Sequence, residues 1–353
     1  MQWTQLARRT FLALSGAALI VGLYPKQGLE IVMDDAQASD AALEPRNFDV
    51  VVVGGSFAGL SAALQIARTR RRVLVIDAGK PRNRFAAGSH GFLGQDGRTP
   101  AQIFQIGREQ LLQYPTAEFV EGKAIHAERR EDGAFAVTLA SGDTYQSHRI
   151  ILAVGVVDHL PEIPGVAERW GKTVNQCPYC HGYELAGGIW GVLYTGAASL
   201  HQVRLMQDWS DQVILFLNGT DQLNAEDRAG LVAAGITLEE TPVEALVGET
   251  DDLRGIKLRD QRVVPIKALF LITRSSIENP LVAQLGCELE DAPFGVMIKT
   301  NELKETTVSG VFAAGDVARS LHNATWAASD GVLAGIFAHQ SLLVHNNPYS
   351  GGS

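Results

Sequence analysis

Cysteine is scarce in this chain: 353 residues contain only three, Cys177, Cys180 and Cys287. A scaffold stapled by many disulfides is thereby excluded, and a structural zinc site, which takes three or four ligands, finds only half a set at Cys177-x-x-Cys180. Positive charge is also in deficit. Thirty Lys and Arg stand against 39 Asp and Glu, a formal net charge of −9. The one dense basic run, Arg68-Thr69-Arg70-Arg71-Arg72, falls between a helix-like and a strand-like segment, where a solvated loop accounts for it. A nucleic-acid partner, which demands a basic face, is not expected. The apolar run over residues 11–23 is too short to cross a bilayer as a stable helix, so no membrane span is expected either.

What is present is a globular composition, 46% hydrophobic and 20% charged, in a chain long enough for two cores. Residues 1–38 read as an export signal of twin-arginine type. Arg8-Arg9-Thr10-Phe11-Leu12 is followed by the apolar run and by Ala36-Gln37-Ala38, which offers small residues for cleavage. Ala7 stands where Ser or Thr is usual, and residues 24–38 are long for a cleavage region. The expected location is periplasmic or extracellular. A start at Met33 would instead leave the protein in the cytoplasm.

The chemistry centres on Cys177-Pro178-Tyr179-Cys180-His181-Gly182-Tyr183-Glu184. Two cysteines three positions apart close a small disulfide ring or act as attacking and resolving thiols, and the proline restricts the loop between them. His181 is placed to hold a proton for a departing thiol or to stabilise a thiolate; the alternative is a partly buried histidine bonded to backbone.

A dinucleotide-binding start lies upstream. Residues 48–53 read as an apolar strand, Gly54-Gly55-Ser56-Phe57-Ala58-Gly59 as a tight turn, residues 60–67 as a helix, and residues 72–77 as a second strand ending in Asp77. Bare backbone at the turn lets a pyrophosphate approach the helix N-terminus, and Asp77 is placed to accept from ribose hydroxyls. Far downstream, residues 310–316 form a short strand that delivers Gly315 and Asp316 at its end, before a small-residue helix over 323–337. The expected fold is therefore α/β, with two Rossmann-like dinucleotide-binding domains, the second inserted into the first. The predicted division gives residues 47–160 and 285–345 to the first domain and 161–284 to the insert.

In this order the motifs resemble the low-molecular-weight thioredoxin reductases over roughly residues 47–345. The resemblance implies FAD along the first domain, with Gly54, Ser56, Phe57, Gly59, Asp77, Gly315, Asp316, Asn323 and Ala324 at the cofactor. Asp316 would bind its ribityl chain, and Asn323 and Ala324 would approach the ring. It further implies that Cys177 and Cys180 exchange electrons with the flavin, Cys180 being the nearer, and that the protein is a homodimer. The catalytic set is Cys177, Cys180 and His181, with no metal.

The insert departs from that pattern. Tyr194 stands where a nicotinamide-binding turn has its first glycine, and a side chain there is expected to obstruct pyrophosphate. Asn218-Gly219 follows the next strand where NADPH-using relatives carry basic residues, and Arg228 is a poor substitute. The Cys-Pro-Tyr-Cys-His-Gly-Tyr-Glu stretch, residues 89–94, His201-Gln202 and residues 207–210 are similar to a thioredoxin-reductase-like branch. That branch includes FAD-dependent oxidases that close dithiols into disulfides in natural products such as gliotoxin and holomycin. It implies a small dithiol or protein thiol as substrate, oxygen as acceptor and no nicotinamide. The alternatives are an NADPH-dependent thioredoxin-disulfide reductase and a flavin-holding redox sensor. His90 is expected to line the cleft or brace its loop. Cys287 reads as a core residue, and Trp190, Trp209 and Trp326 as packing.

Overall fold

The computed structural model describes residues 46–249 and 251–344; the expected export signal lies outside the described residues. The first strand, Arg46–Val53, carries Val50 to Val53, all buried, as an uninterrupted apolar run. Such a run suits a parallel strand covered on both faces. It pairs in parallel with Val73–Asp77 on one side and Thr144–Leu152 on the other. Ala117–Glu121 extends the sheet at one edge, Phe135–Leu139 and Ala124–Arg129 extend it antiparallel at the other, and Val311–Ala313 joins Thr144–Leu152.

Helices Phe57–Arg68 and Ala324–Val344 cover one face of this sheet. Their axes approach closely because glycine sits at the crossing: a methyl group on Gly331 would lie 2.0 Å from the carbonyl oxygen of Ala58. The second of these helices runs seven residues past the end expected from the sequence, since Ala338 and Leu342 continue its buried face.

Between Thr144–Leu152 and Val311–Ala313 the chain builds a second parallel sheet, in the order Thr237–Glu239, Gln212–Phe216, Ile189–Leu193, Ala268–Leu271, Val174–Asn175. The insertion is thus a property of the topology. The two crossings run side by side: Val157–His159 pairs antiparallel with Arg274–Ser276. The return comes earlier than residue 285. Leu281 and Val282 are already buried in the first domain's core, and Gln284 Oε1 accepts from the Ala127 amide at 2.9 Å, so the apolar side chains just past the crossing strand settle where they can be covered. No helix of the described residues is long and apolar enough to cross a membrane.

Candidate active site

Cys177 directly precedes helix Pro178–Leu185. Pro178 occupies the first helical position, where its missing N–H costs nothing and its fixed φ suits the turn. Cys180, one turn on, donates its amide to the Cys177 carbonyl at 3.3 Å, and the two sulfurs form a disulfide. A pair closed in this way offers no thiolate to a metal while it remains a disulfide. Gly182 lets the helix lie against the Trp209 indole, whose Cδ1 and Nε1 would each be 2.9 Å from an added methyl group; Tyr179 meets the same indole edge-on, with ring centroids 5.3 Å apart.

The disulfide opens into a cleft of about 1120 Å³ that runs to the glycine-rich turn. Gly54, Ser56, Phe57, Asp77, Gly315, Asp316, Asn323, Ala324, Cys177, Cys180 and His181 all border it. Gly54 adopts φ +108°, and a methyl group there would lie 2.1 Å from the Ala153 carbonyl oxygen, so only glycine is accommodated. Ser56 stands before helix Phe57–Arg68 yet its side chain makes no capping bond, which leaves the first-turn amides unclaimed by it. Gly59 is packed against the turn itself: a methyl group on it would lie 1.7 Å from the Gly54 carbonyl oxygen, so its missing side chain lets helix and turn touch. Asp77 does more than face the cleft: its Oδ1 accepts from Gly55 N at 2.9 Å and its Oδ2 from Gly79 N at 3.2 Å, which braces the turn.

A polar cluster that sequence reasoning missed occupies the cleft wall. Arg82 donates from Nε and Nη2 to both oxygens of Asp158 (2.8 and 2.6 Å), from Nη1 to Asp316 Oδ2 (2.9 Å), and from Nη1 to His322 Nδ1 (2.6 Å). Asp158 and Gln176 also receive the Thr273 hydroxyl, at 2.8 and 3.2 Å. Burial alone would lower the Arg82 pKa, but its bonds and charges with Asp158 and Asp316 outweigh that and hold it above the ordinary value. Burial pushes His322 below its usual range, against the pull of Asp316; the neutral ring then accepts from Arg82, which has only donors to offer. These residues come from six separated stretches, and Arg82 in Lys80-Pro81-Arg82 carries no local pattern that marks it.

His181 is half-buried, and its pKa lies below the ordinary 6.5, first through burial and then through His90, with Glu184 opposing. Trp326 is 46% exposed at the border of the cleft, with the Arg319 guanidinium 5.2 Å from its ring centroid. Trp190 and Cys287 are buried in their respective cores.

In the second domain the Tyr194 ring packs half-buried against the core around Trp190. The turn that follows is closed by its own side chains. Thr195 N donates to Ser199 Oγ at 3.0 Å, and the Thr195 hydroxyl donates to the Ile272 carbonyl at 2.8 Å. Asn218 Oδ1 is engaged by the Val243 amide at 2.9 Å, and Arg228 is paired with Glu240.

The sequence pattern of the pyridine nucleotide-disulphide oxidoreductases matches residues 48–331. The chain belongs to this family. It is 32% identical to the thioredoxin reductase tcpT of Claviceps purpurea over 85% of this chain and 95% of that one. Among solved structures, an oxidoreductase from Agrobacterium tumefaciens is 42% identical with a TM-score of 0.80, covering 84% of this chain and 99% of that one. HlmI is 38% identical with a TM-score of 0.79, covering 85% and 94%. The protein is accordingly a flavin-dependent oxidoreductase of thioredoxin reductase type with FAD as cofactor. The residues present fit that group: an uncapped helix start for the diphosphate, a carboxylate at Asp316, and an open cleft from there to the disulfide.

Proposed function

We propose that this protein oxidises dithiols to disulfides, with oxygen as the final acceptor. The observation that carries the reading is an asymmetry between its two turns. The Gly54 turn shares an open cleft with the Cys177–Cys180 disulfide, whereas the Thr195 amide at the second turn is engaged by Ser199 and Arg228 is paired with Glu240. In the proposed sequence a substrate thiol gives its proton to His181 and its sulfur attacks one cysteine sulfur. The Cys177–Cys180 bond breaks and the other cysteine leaves as a thiolate. The second substrate thiol then displaces the first cysteine, so the substrate leaves as a disulfide and the pair is left reduced by two electrons. FAD, held at the Gly54 turn and Asp316, would supply the two-electron acceptor for the reduced Cys177 and Cys180 pair and the route from it to oxygen. The lowered pKa of His181 suits a proton acceptor at neutral pH.

The sequence resemblance to the oxidases that act on gliotoxin- and holomycin-type dithiols supports this substrate class. The name of tcpT favours a second reading, an NADPH-dependent disulfide reductase. Export by a twin-arginine signal and a homodimeric state accompany the first reading as proposals. The deciding experiment is anaerobic addition of a small dithiol to the yellow protein. Bleaching, followed by recovery of colour in air with formation of hydrogen peroxide, supports the oxidase; a flavin that dithiols leave oxidised refutes it.

A further inference from the structure

His181, which borders the cleft, is joined there by Glu184 on its own helix and by His90 from the other domain. Glu184 follows His181 by three positions on helix Pro178–Leu185, so both side chains lie on the same side of the helix. His90 arrives from the flavin domain, on the loop between Val73–Asp77 and helix Pro100–Leu112, and its Nδ1 lies 3.3 Å from Glu184 Oε1. That loop is held in shape. Ser89 N donates to Arg98 O at 2.8 Å, Gly97 N to Ser89 O at 2.9 Å, and Gly91 N to Asp96 Oδ1 at 2.8 Å, while Phe92 packs edge-on against Phe57 beside the Gly54 turn. Gly88 leaves the imidazole its room, since a methyl group there would lie 2.9 Å from His90 Nε2.

We infer that His90 and Glu184 are positioning residues for proton transfer at His181, a pair assembled across two domains whose members bias its proton in opposite directions, His90 against it and Glu184 toward it. The inference rests on the dithiol-oxidising reading and adds to it the groups that control its base. Two neighbouring imidazoles resist carrying charge together, so His90 disfavours a proton on His181, and Glu184 draws protons toward the pair. Asp96 also faces His90, its Oδ1 4.0 Å from Nδ1. Glu184 is partly exposed, at 39% of its side chain, which gives a proton held by the pair a way out to water. Because His90 and Glu184 belong to different domains, the arrangement exists only while the redox helix sits against the flavin-domain loop.

The two partners act with opposite sign, and that is what the test reads. In single-turnover anaerobic reduction by dithiothreitol, the rate rises with pH through the midpoint at which His181 becomes neutral. His90→Gln removes a repulsion and moves this midpoint up. Glu184→Gln removes an attraction and moves it down, whereas Glu184→Asp, which keeps the charge, restores the wild-type direction. The ring-proton resonance of His181, followed by NMR in the oxidised protein, reports the same shifts without turnover. Midpoints that stay put in both variants, or move together, overturn the inference. Should dithiothreitol fail to reduce the wild-type protein, dithiol oxidation falls and the NMR titration alone decides the roles of His90 and Glu184.

Discussion

Arg82 and Asp316 form an ion pair of 2.9 Å from Nη1 to Oδ2, while the same guanidinium grips both oxygens of Asp158 in the crossing strand Val157–His159. One side chain therefore links the carboxylate at the end of Val311–Ala313, on the cofactor side, to the strand through which the chain leaves the flavin domain. Asp158 is almost fully buried, with 7% of its side chain exposed. A carboxylate in that setting depends on its cation.

Removing one partner of a buried pair leaves the other charge uncompensated, which costs about 3 to 5 kcal/mol. Arg82→Ala is expected to lower the unfolding free energy by an amount toward the lower end of that range, because the guanidinium is partly open to water. The flavin is expected to be lost more readily as well. Arg82→Lys keeps the charge but not the two-pronged grip on Asp158, so it falls between. Thermal unfolding and the flavin-to-protein absorbance ratio measure both effects; wild-type values in Arg82→Ala would show that the cluster has no structural role.

The cysteines act as one unit. Cys177→Ser and Cys180→Ser are each expected to abolish dithiol turnover while leaving the protein yellow, because the uncapped helix start and Asp316 belong to other segments. The two variants should nonetheless differ, since one sulfur meets the substrate first. Assay of turnover beside a flavin spectrum separates this from a structural role, in which colour and activity disappear together.

Acid weakens the fold through its neutral histidines. Burial holds both His181 and His322 below the 6.5 of a free imidazole. The unfolded chain therefore takes up protons on these two groups at a higher pH than the folded protein does. Their contribution to stability is complete above pH 6.5 and declines as pH falls from there through their folded values. Denaturant unfolding measured across this window should show a decline, and His322→Asn should reduce it. A stability profile that is flat there would contradict the assigned directions.

The legible parts of this molecule are those whose physics is local. The strand, turn and helix around Gly54 are contiguous, and each is specified by its own residues: apolar run, glycine, small-residue helix. The same holds for Cys177-x-x-Cys180, where the spacing is the chemistry. The Arg82 cluster is illegible because its members lie at positions 82, 158, 176, 273, 316 and 322 and meet only after the insertion has folded back. Gly59 shows a subtler limit. Its glycine requirement was readable, but whether the space served a ligand or a carbonyl oxygen was not, since both ask for the same missing side chain. The return near residue 276 was hidden for a related reason: Leu281 and Val282 look alike whichever core buries them.

The choice between oxidase and reductase turns on Thr195 and Ser199. A bound diphosphate needs backbone amides at its turn, and here the Thr195 amide is already spent on the Ser199 hydroxyl. A 2′-phosphate needs a cation, and Arg228 is spent on Glu240. Hydrogen bonds to charged groups are worth roughly 1.5 to 3 kcal/mol each, so two forgone bonds weaken binding by about a hundredfold or more. NADPH and NADH are therefore expected to leave the flavin oxidised on a timescale in which a small dithiol bleaches it. Ser199→Ala frees the amide but supplies no cation, so it should raise nicotinamide-driven reduction little; Tyr194→Gly alone should do no better, because the ring packs into the core and its removal opens a cavity there. Stopped-flow absorbance with each nicotinamide in turn makes the measurement. Rapid bleaching of the unmodified protein by micromolar NADPH, with the electrons reaching a disulfide substrate, would make the protein a reductase and would mean that Thr195 exchanges Ser199 for phosphate when the nucleotide arrives.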